Sequence, residues 1–158
     1  MRNIVAAIDY SDAALPVINT AANIARAFDA NLWIIHAEDS ERCNPCGTGL
    51  SPSAHIEPTH SSKWYEEHSE KKYSPIRQRV TELKEGGVRI QVKFNEGIIE
   101  DVILEEIDRT NADLLVTGSH SHGAFYNLLV TGVNDVLTKN LKCPLMMVPA
   151  SIEALVGR

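Results

Sequence analysis

Residues 118 to 132 read GSHSHGAFYNLLVTG, with three glycines, two histidines and four hydroxyl side chains in fifteen positions. Backbone N–H groups in a glycine-rich turn, and at the start of the helix that follows it, point at phosphate oxygens, and the helix dipole favours the negative charge. Ser121 serves if its backbone needs no positive φ, and the imidazole N–H of His120 offers a further donor, whereas His122 reads as a solvated loop histidine. Far upstream, the apolar run NIVAAI at 3–8 ends in Asp9-Tyr10-Ser11-Asp12. A carboxylate in that position accepts hydrogen bonds from a ribose, or simply caps its own turn.

A second constellation is Cys43-x-x-Cys46, followed by His55, His60 and His68. Two thiolates and two imidazoles suit tetrahedral zinc, and a C-x-x-C pair also suits thiol redox chemistry. The spacing is equally that of a plain loop, and the three readings stand side by side. Cys143, directly before Pro144, reads as a structural thiol, and His36, at the end of an apolar run, as a core histidine bonded to backbone. No Ser/His/Asp set, GxxxxGK[ST] loop or paired carboxylates stand out, so efficient catalysis is not expected and ATP hydrolysis would at most be slow.

The elements that must position these residues are legible from periodicity. Apolar runs at 3–8 (NIVAAI), 32–37 (LWIIHA), 114–117 (LLVT) and 144–148 (PLMMV) read as buried strands, and 88–94 (VRIQVKF) alternates as a half-buried one. Leu15, Ile18, Ala21, Ala22, Ala25 and Phe28 mark a first helix, with Ser11 or Asp12 as N-cap and Pro16 tolerated in the first turn. Tyr73, Ile76, Val80 and Leu83 mark a second that stops at Gly86-Gly87, and Val102, Ile103 and Ile107 a third that ends near Asn111. Val133, Val136, Leu137 and Leu141 mark a fourth. Strict strand–helix alternation over short connections implies a doubly wound α/β fold: five parallel strands with helices on both faces. Ligands in such folds lie at the carboxyl ends of the strands near the switch point, which selects the loops after Asp9 and Gly118.

The 158 residues suit a single domain over 1–150 with a short tail at 151–158. The aperiodic, Ser/Pro/Gly/Cys-rich segment at about 39–63 reads as a long inserted loop. A net charge of −6 disfavours nucleic acid or an anionic membrane surface as partner. Three cysteines make no disulfide framework, and neither a secretory leader nor an apolar stretch of membrane-spanning length occurs, so a cytoplasmic protein without membrane insertion is expected.

Four segments, in order, resemble the universal stress protein A family. They are NIVAAIDYSDAA, LWIIHA, FNEGIIEDVILEEIDRTNADLLVTGSHSHG and NLKCPLMMVP, which together span nearly the whole chain. The resemblance implies a Rossmann-like fold of the adenine nucleotide alpha hydrolase type, a homodimer paired through the last strand, and stress signalling through a regulatory protein partner still to be named. The ligand it implies is ATP or AMP, with or without Mg²⁺. Family members that bind ATP carry Gly-x2-Gly-x9-Gly-Ser/Thr. Aligned without gaps, those four positions fall on Gly118, Ser121, Thr131 and Gly132, and only the first glycine is kept. A one-residue insertion instead puts Gly132 on the third glycine and leaves Val133 in place of the hydroxyl. By the same resemblance Asp9 and the backbone near Ala7 and Ala37 would meet ribose and adenine, while Gly118, His120, Ser121, Thr131 and Gly132 would hold the phosphates. The alternative is a member that binds no nucleotide and regulates a partner through metal or redox chemistry in its Cys/His loop.

Overall fold

The computed structural model describes residues 1–9, 11–38, 62–119 and 139–149. In chain order these form β1 (Asn3–Ala7), α1 (Ala14–Phe28), β2 (Asn31–Glu38), α2 (Ser62–Glu85), β3 (Arg89–Glu96), α3 (Ile99–Thr110), β4 (Leu114–Gly118) and β5 (Leu145–Val148). The strands make one sheet in the order β3-β2-β1-β4-β5, and every pairing is parallel. The chain therefore winds outward from β1 to one edge and then returns to pair β4 against the other side of β1. The switch point lies between β1 and β4.

Pleating explains why the strands read as unbroken apolar runs. On β1, Ile4, Ala6 and Ile8 turn to one face and join a core with Val17, Ile18, Ala21, Ala22 and Ala25 of α1 and Ile76, Val80 and Leu83 of α2. Val5 and Ala7 turn to the other and join Ile99, Val102, Ile103 and Ile107 of α3. Helices cover both faces, as the alternating pattern requires. Each fully buried Ile or Leu contributes about 1.5–3 kcal/mol relative to an exposed one, so both layers are needed to keep β1 dry.

The helices stop through left-handed residues. Gly87 takes φ 84°, and Val88 N–H donates to the Leu83 carbonyl at 3.0 Å, closing α2 at the expected Gly86-Gly87 pair. Asp29 (φ 52°) and Asn111 (φ 47°) do the same for α1 and α3 without glycine, since short polar side chains tolerate that region.

Several sequence expectations are revised. Phe28, counted in the apolar stripe of α1, is 57% exposed, because α1 ends there and its inward face is completed by Ala14 and Val17. The N-cap of α1 is Ala13 rather than Ser11 or Asp12, and it makes no side-chain capping bond. α2 starts at Ser62, well before the stripe at Tyr73, and runs through Pro75. Of the fourth expected helix, only the helical turn at 139–140 and the half-buried Leu141 fall within the described residues.

A charged cluster anchors α3 to the sheet. The Glu106 carboxylate is 3% exposed and accepts from Lys93 at 3.1 Å and from Arg109, whose guanidinium lies 4.3 Å from the centre of the Trp33 ring. The Arg109 hydrogen bonds outweigh desolvation and hold the Glu106 carboxyl below its ordinary value of 4.5. A carboxylate depressed in the folded state contributes stability that is fully present above the unfolded value and is lost as pH falls through the lower folded one. Glu106→Gln should therefore lower the urea midpoint at pH 7 and remove part of the loss that the unmodified chain shows below about pH 4; parallel acid limbs for the two proteins would show that the cluster adds nothing.

Candidate functional site at the switch point

β1 stops before its neighbours, and that opens the crevice. In a parallel ladder alternate residues direct both N–H and C=O to the same neighbour. Asn31 N–H donates to the Arg2 carbonyl at 2.8 Å and Ile8 N–H to the Ile35 carbonyl at 2.9 Å, so the odd-numbered residues of β2 face β1. The register ends at Ala7 opposite Ile35, while β2 continues to Glu38 beside β3. Ala37 thus directs its N–H and C=O over the end of β1, and no described residue accepts from that N–H. The Ile8 carbonyl, which a continued ladder would pair with Ala37, bonds instead to His36 Nδ1 at 2.9 Å. A carbonyl only accepts, so the hydrogen is on Nδ1.

Beyond Ile8 the chain turns on a carboxylate. Asp9 Oδ1 accepts from the Ser11 N–H at 3.0 Å and from the Ser11 hydroxyl, whose oxygen accepts from Ala13 N–H at 3.2 Å. This is a side-chain-closed turn feeding the N-terminus of α1. Asp9 is half-buried, and among the described residues its Oδ2 accepts no hydrogen bond. One oxygen builds the turn and the other is left for a hydroxyl donor.

On the far side of β1, Gly118 ends β4. A Cβ built there would lie 2.8 Å from the Ala13 Cβ and 3.7 Å from Val17 Cγ2. The position must be glycine so that β4 can close on the first turn of α1, and this brings the end of β4 against the segment that follows the Asp9 turn. The Ser119 N–H then donates to the Val148 carbonyl at 2.8 Å, tying the start of the outgoing loop to β5.

Ala7, Asp9, Ala37 and Gly118 therefore meet at one end of the sheet. His120, Ser121, Thr131 and Gly132, and the thiol and imidazole candidates Cys43, Cys46, His55 and His60, lie outside the described residues. Among the described residues no cluster of three or more potential metal ligands occurs, and no helix is long and apolar enough to cross a membrane. Cys143 is half-buried, and desolvation pushes its thiol up. Sequence reasoning placed His36 in the core, where the structure has it at 7% exposure, but did not connect it to the crevice. It named Ser11 only as a helix N-cap candidate and passed over Ala13. The D-x-S spacing signals the first, whereas the second depends on a contact between distant segments.

Sheet order and strand direction define a doubly wound α/β domain, a fold class in which ligands lie at the switch point, and the Asp9 turn closes there. The family model for the universal stress protein family matches residues 1–149, and the chain belongs to that family. A universal stress protein of Methanocaldococcus jannaschii is 27% identical over 148 residues, covering 93% of this chain and 81% of the relative. A crystal structure of a universal stress protein in complex with cAMP is similar at a TM-score of 0.60 and 22% identity, covering 95% of this chain and 98% of that one. A universal stress protein from Archaeoglobus fulgidus in complex with dAMP is similar at 0.59 and 16%, covering 94% and 98%.

The contact with Ala13 has a direct consequence. Gly118→Val should destabilise the fold by about 1–3 kcal/mol through overpacking, read as a lower urea midpoint without ligand. An unchanged midpoint would show that Ala13 yields and that the glycine is there for another reason.

Proposed function

We propose that the chain is a cytoplasmic nucleotide-responsive module that binds ATP or AMP in the switch-point crevice and acts as a homodimer on a regulatory protein partner. The observation that carries the proposal is the rim where β1 ends: the Ala37 N–H, from which no described residue accepts, would meet a base edge, and the second Asp9 oxygen, which accepts from no described residue, would meet a ribose hydroxyl. Similarity to structures solved with cAMP and with dAMP supports an adenine nucleotide as the occupant. The phosphates would be held by Gly118, His120, Ser121, Thr131 and Gly132, with or without Mg²⁺. Backbone amides at a helix start suit them better than the end of β1, where Asp9 and Asp12 repel negative charge.

For assembly, β5 is the edge strand. The Pro144 and Val148 carbonyls accept from β4, so Leu145 and Met147 turn their N–H and C=O outward. Met146 and Met147 are each 38% exposed. An unpaired, apolar edge is a template for a second copy of the same strand.

Two experiments test the two parts. In isothermal titration of the full chain with ATP and AMP, with and without Mg²⁺, Asp9→Ala should weaken binding about tenfold or more. Ser11→Ala, which loses the hydroxyl's bonds in the turn but keeps the backbone N–H bond and the carboxylate, should weaken it far less; equal losses would assign Asp9 to the turn alone, and no heat from the unmodified chain would end the nucleotide reading. In sedimentation velocity, Met147→Pro removes an outward donor while sparing the ladder to β4 and should convert a dimer to a monomer. A dimer that survives this change is not paired through β5.

A further inference from the structure

We infer that His36 is the residue that sets base selectivity in the crevice, as a positioning group: by taking the Ile8 carbonyl it keeps the Ala37 N–H open as the donor that reads an adenine edge. The inference rests on the nucleotide reading above and adds to it a residue that touches no ligand.

Two donors, His36 Nδ1–H and Ala37 N–H, compete for one acceptor, the Ile8 carbonyl. Ala37 faces β1 by the parity of the ladder, and the nearest acceptor in a regular continuation is the Ile8 carbonyl. If the two paired, the sheet would be one rung longer and the Ala37 N–H would be taken. The imidazole prevents this. His36 lies on the α1/α2 face of β2, and its Nδ1–H draws the Ile8 carbonyl to itself at 2.9 Å. The ring is buried and is held edge-on by Phe94, its register partner on β3, with ring centres 6.3 Å apart and planes at 64°. The site therefore has a fixed donor taken from a side chain, and the backbone donor is released from the ladder.

Chemistry then specifies the base. A backbone N–H and C=O side by side match the N1 acceptor and N6 donor of adenine. Hypoxanthine carries N1–H and O6 instead and meets that pair with the wrong polarity. An open Ala37 thus favours adenine over hypoxanthine, and a closed one discriminates little. Asn places an amide donor near the position of Nδ1, whereas Gln carries its donor one carbon further and Leu has none, so the three substitutions separate the donor from mere bulk.

The test uses the full chain and the nucleotides ATP and ITP, with the exchange rate of the Ala37 amide followed by NMR in nucleotide-free protein. The unmodified chain and His36→Asn are expected to prefer ATP over ITP by about tenfold or more and to exchange Ala37 rapidly. His36→Leu and His36→Gln are expected to bring the ATP/ITP ratio close to one, leave tripolyphosphate binding unchanged, and slow Ala37 exchange as the Ile8 carbonyl closes the ladder. A folded Leu or Gln variant that keeps both the preference and rapid exchange overturns the inference while leaving nucleotide binding intact. An unmodified chain that binds neither nucleotide ends the nucleotide reading itself, and slow Ala37 exchange in that same protein would end the proposed opening independently. If His36→Leu does not fold, the Gln and Asn pair decides alone.

Discussion

The end of β1 governs the site. It is the central strand, paired on both sides and covered on both faces, so its backbone groups are satisfied by the sheet until it stops. Where it stops, the ladder that flanked it on both sides ends, and buried backbone groups left unpaired are expensive. Side chains take over part of the load: His36 for the Ile8 carbonyl, and Asp9 with Ser11 for the turn into α1. Among the described residues the Ala37 N–H and the second Asp9 oxygen are left without a partner, and the proposed function draws on these two groups.

The packing beneath serves that edge. α1 follows directly from the Asp9 turn, and its first turn meets Gly118 at a distance that excludes even a methyl group. The end of β4 and the start of α1 are therefore set against each other by one contact in the first core layer. α3, on the opposite face, is fixed independently through Glu106, Lys93, Arg109 and Trp33. A nearly buried carboxylate with two cationic partners is strongly destabilising if one partner is removed, so the cluster pins the position of α3 more than it adds net stability.

Membership of the universal stress protein family agrees with this architecture over residues 1–149. The crevice, however, follows from the strand order and from where the strands end. The glycine pattern departs from the family's at three of four positions, whereas the rim built by Asp9, Ser11, His36 and Ala37 is complete in itself. On the proposed reading, a base and ribose would draw on a different part of the chain from the phosphates.

The sequence by itself determined the elements. Strands buried on both faces must be continuously apolar, and NIVAAI, LWIIHA and LLVT carry that pattern without help from the rest of the chain. Helix stops at Gly87 and Asn111 are local in the same way, since only certain residues tolerate positive φ. Asp9 was legible because an acidic residue after a buried strand must do something in the turn. What only the tertiary structure decided are relations between residues far apart in the chain. The strand order places β4 beside β1, Gly118 is needed because of Ala13, Phe28 falls outside the core because the helix ends there, and Glu106 is buried because Lys93 arrives from β3. His36 shows the division within one residue: its burial follows from the apolar run around it, but its partner, the carbonyl of Ile8, lies 28 positions away. Periodicity records which face of an element is dry, and it carries no information about which distant group completes a hydrogen bond there.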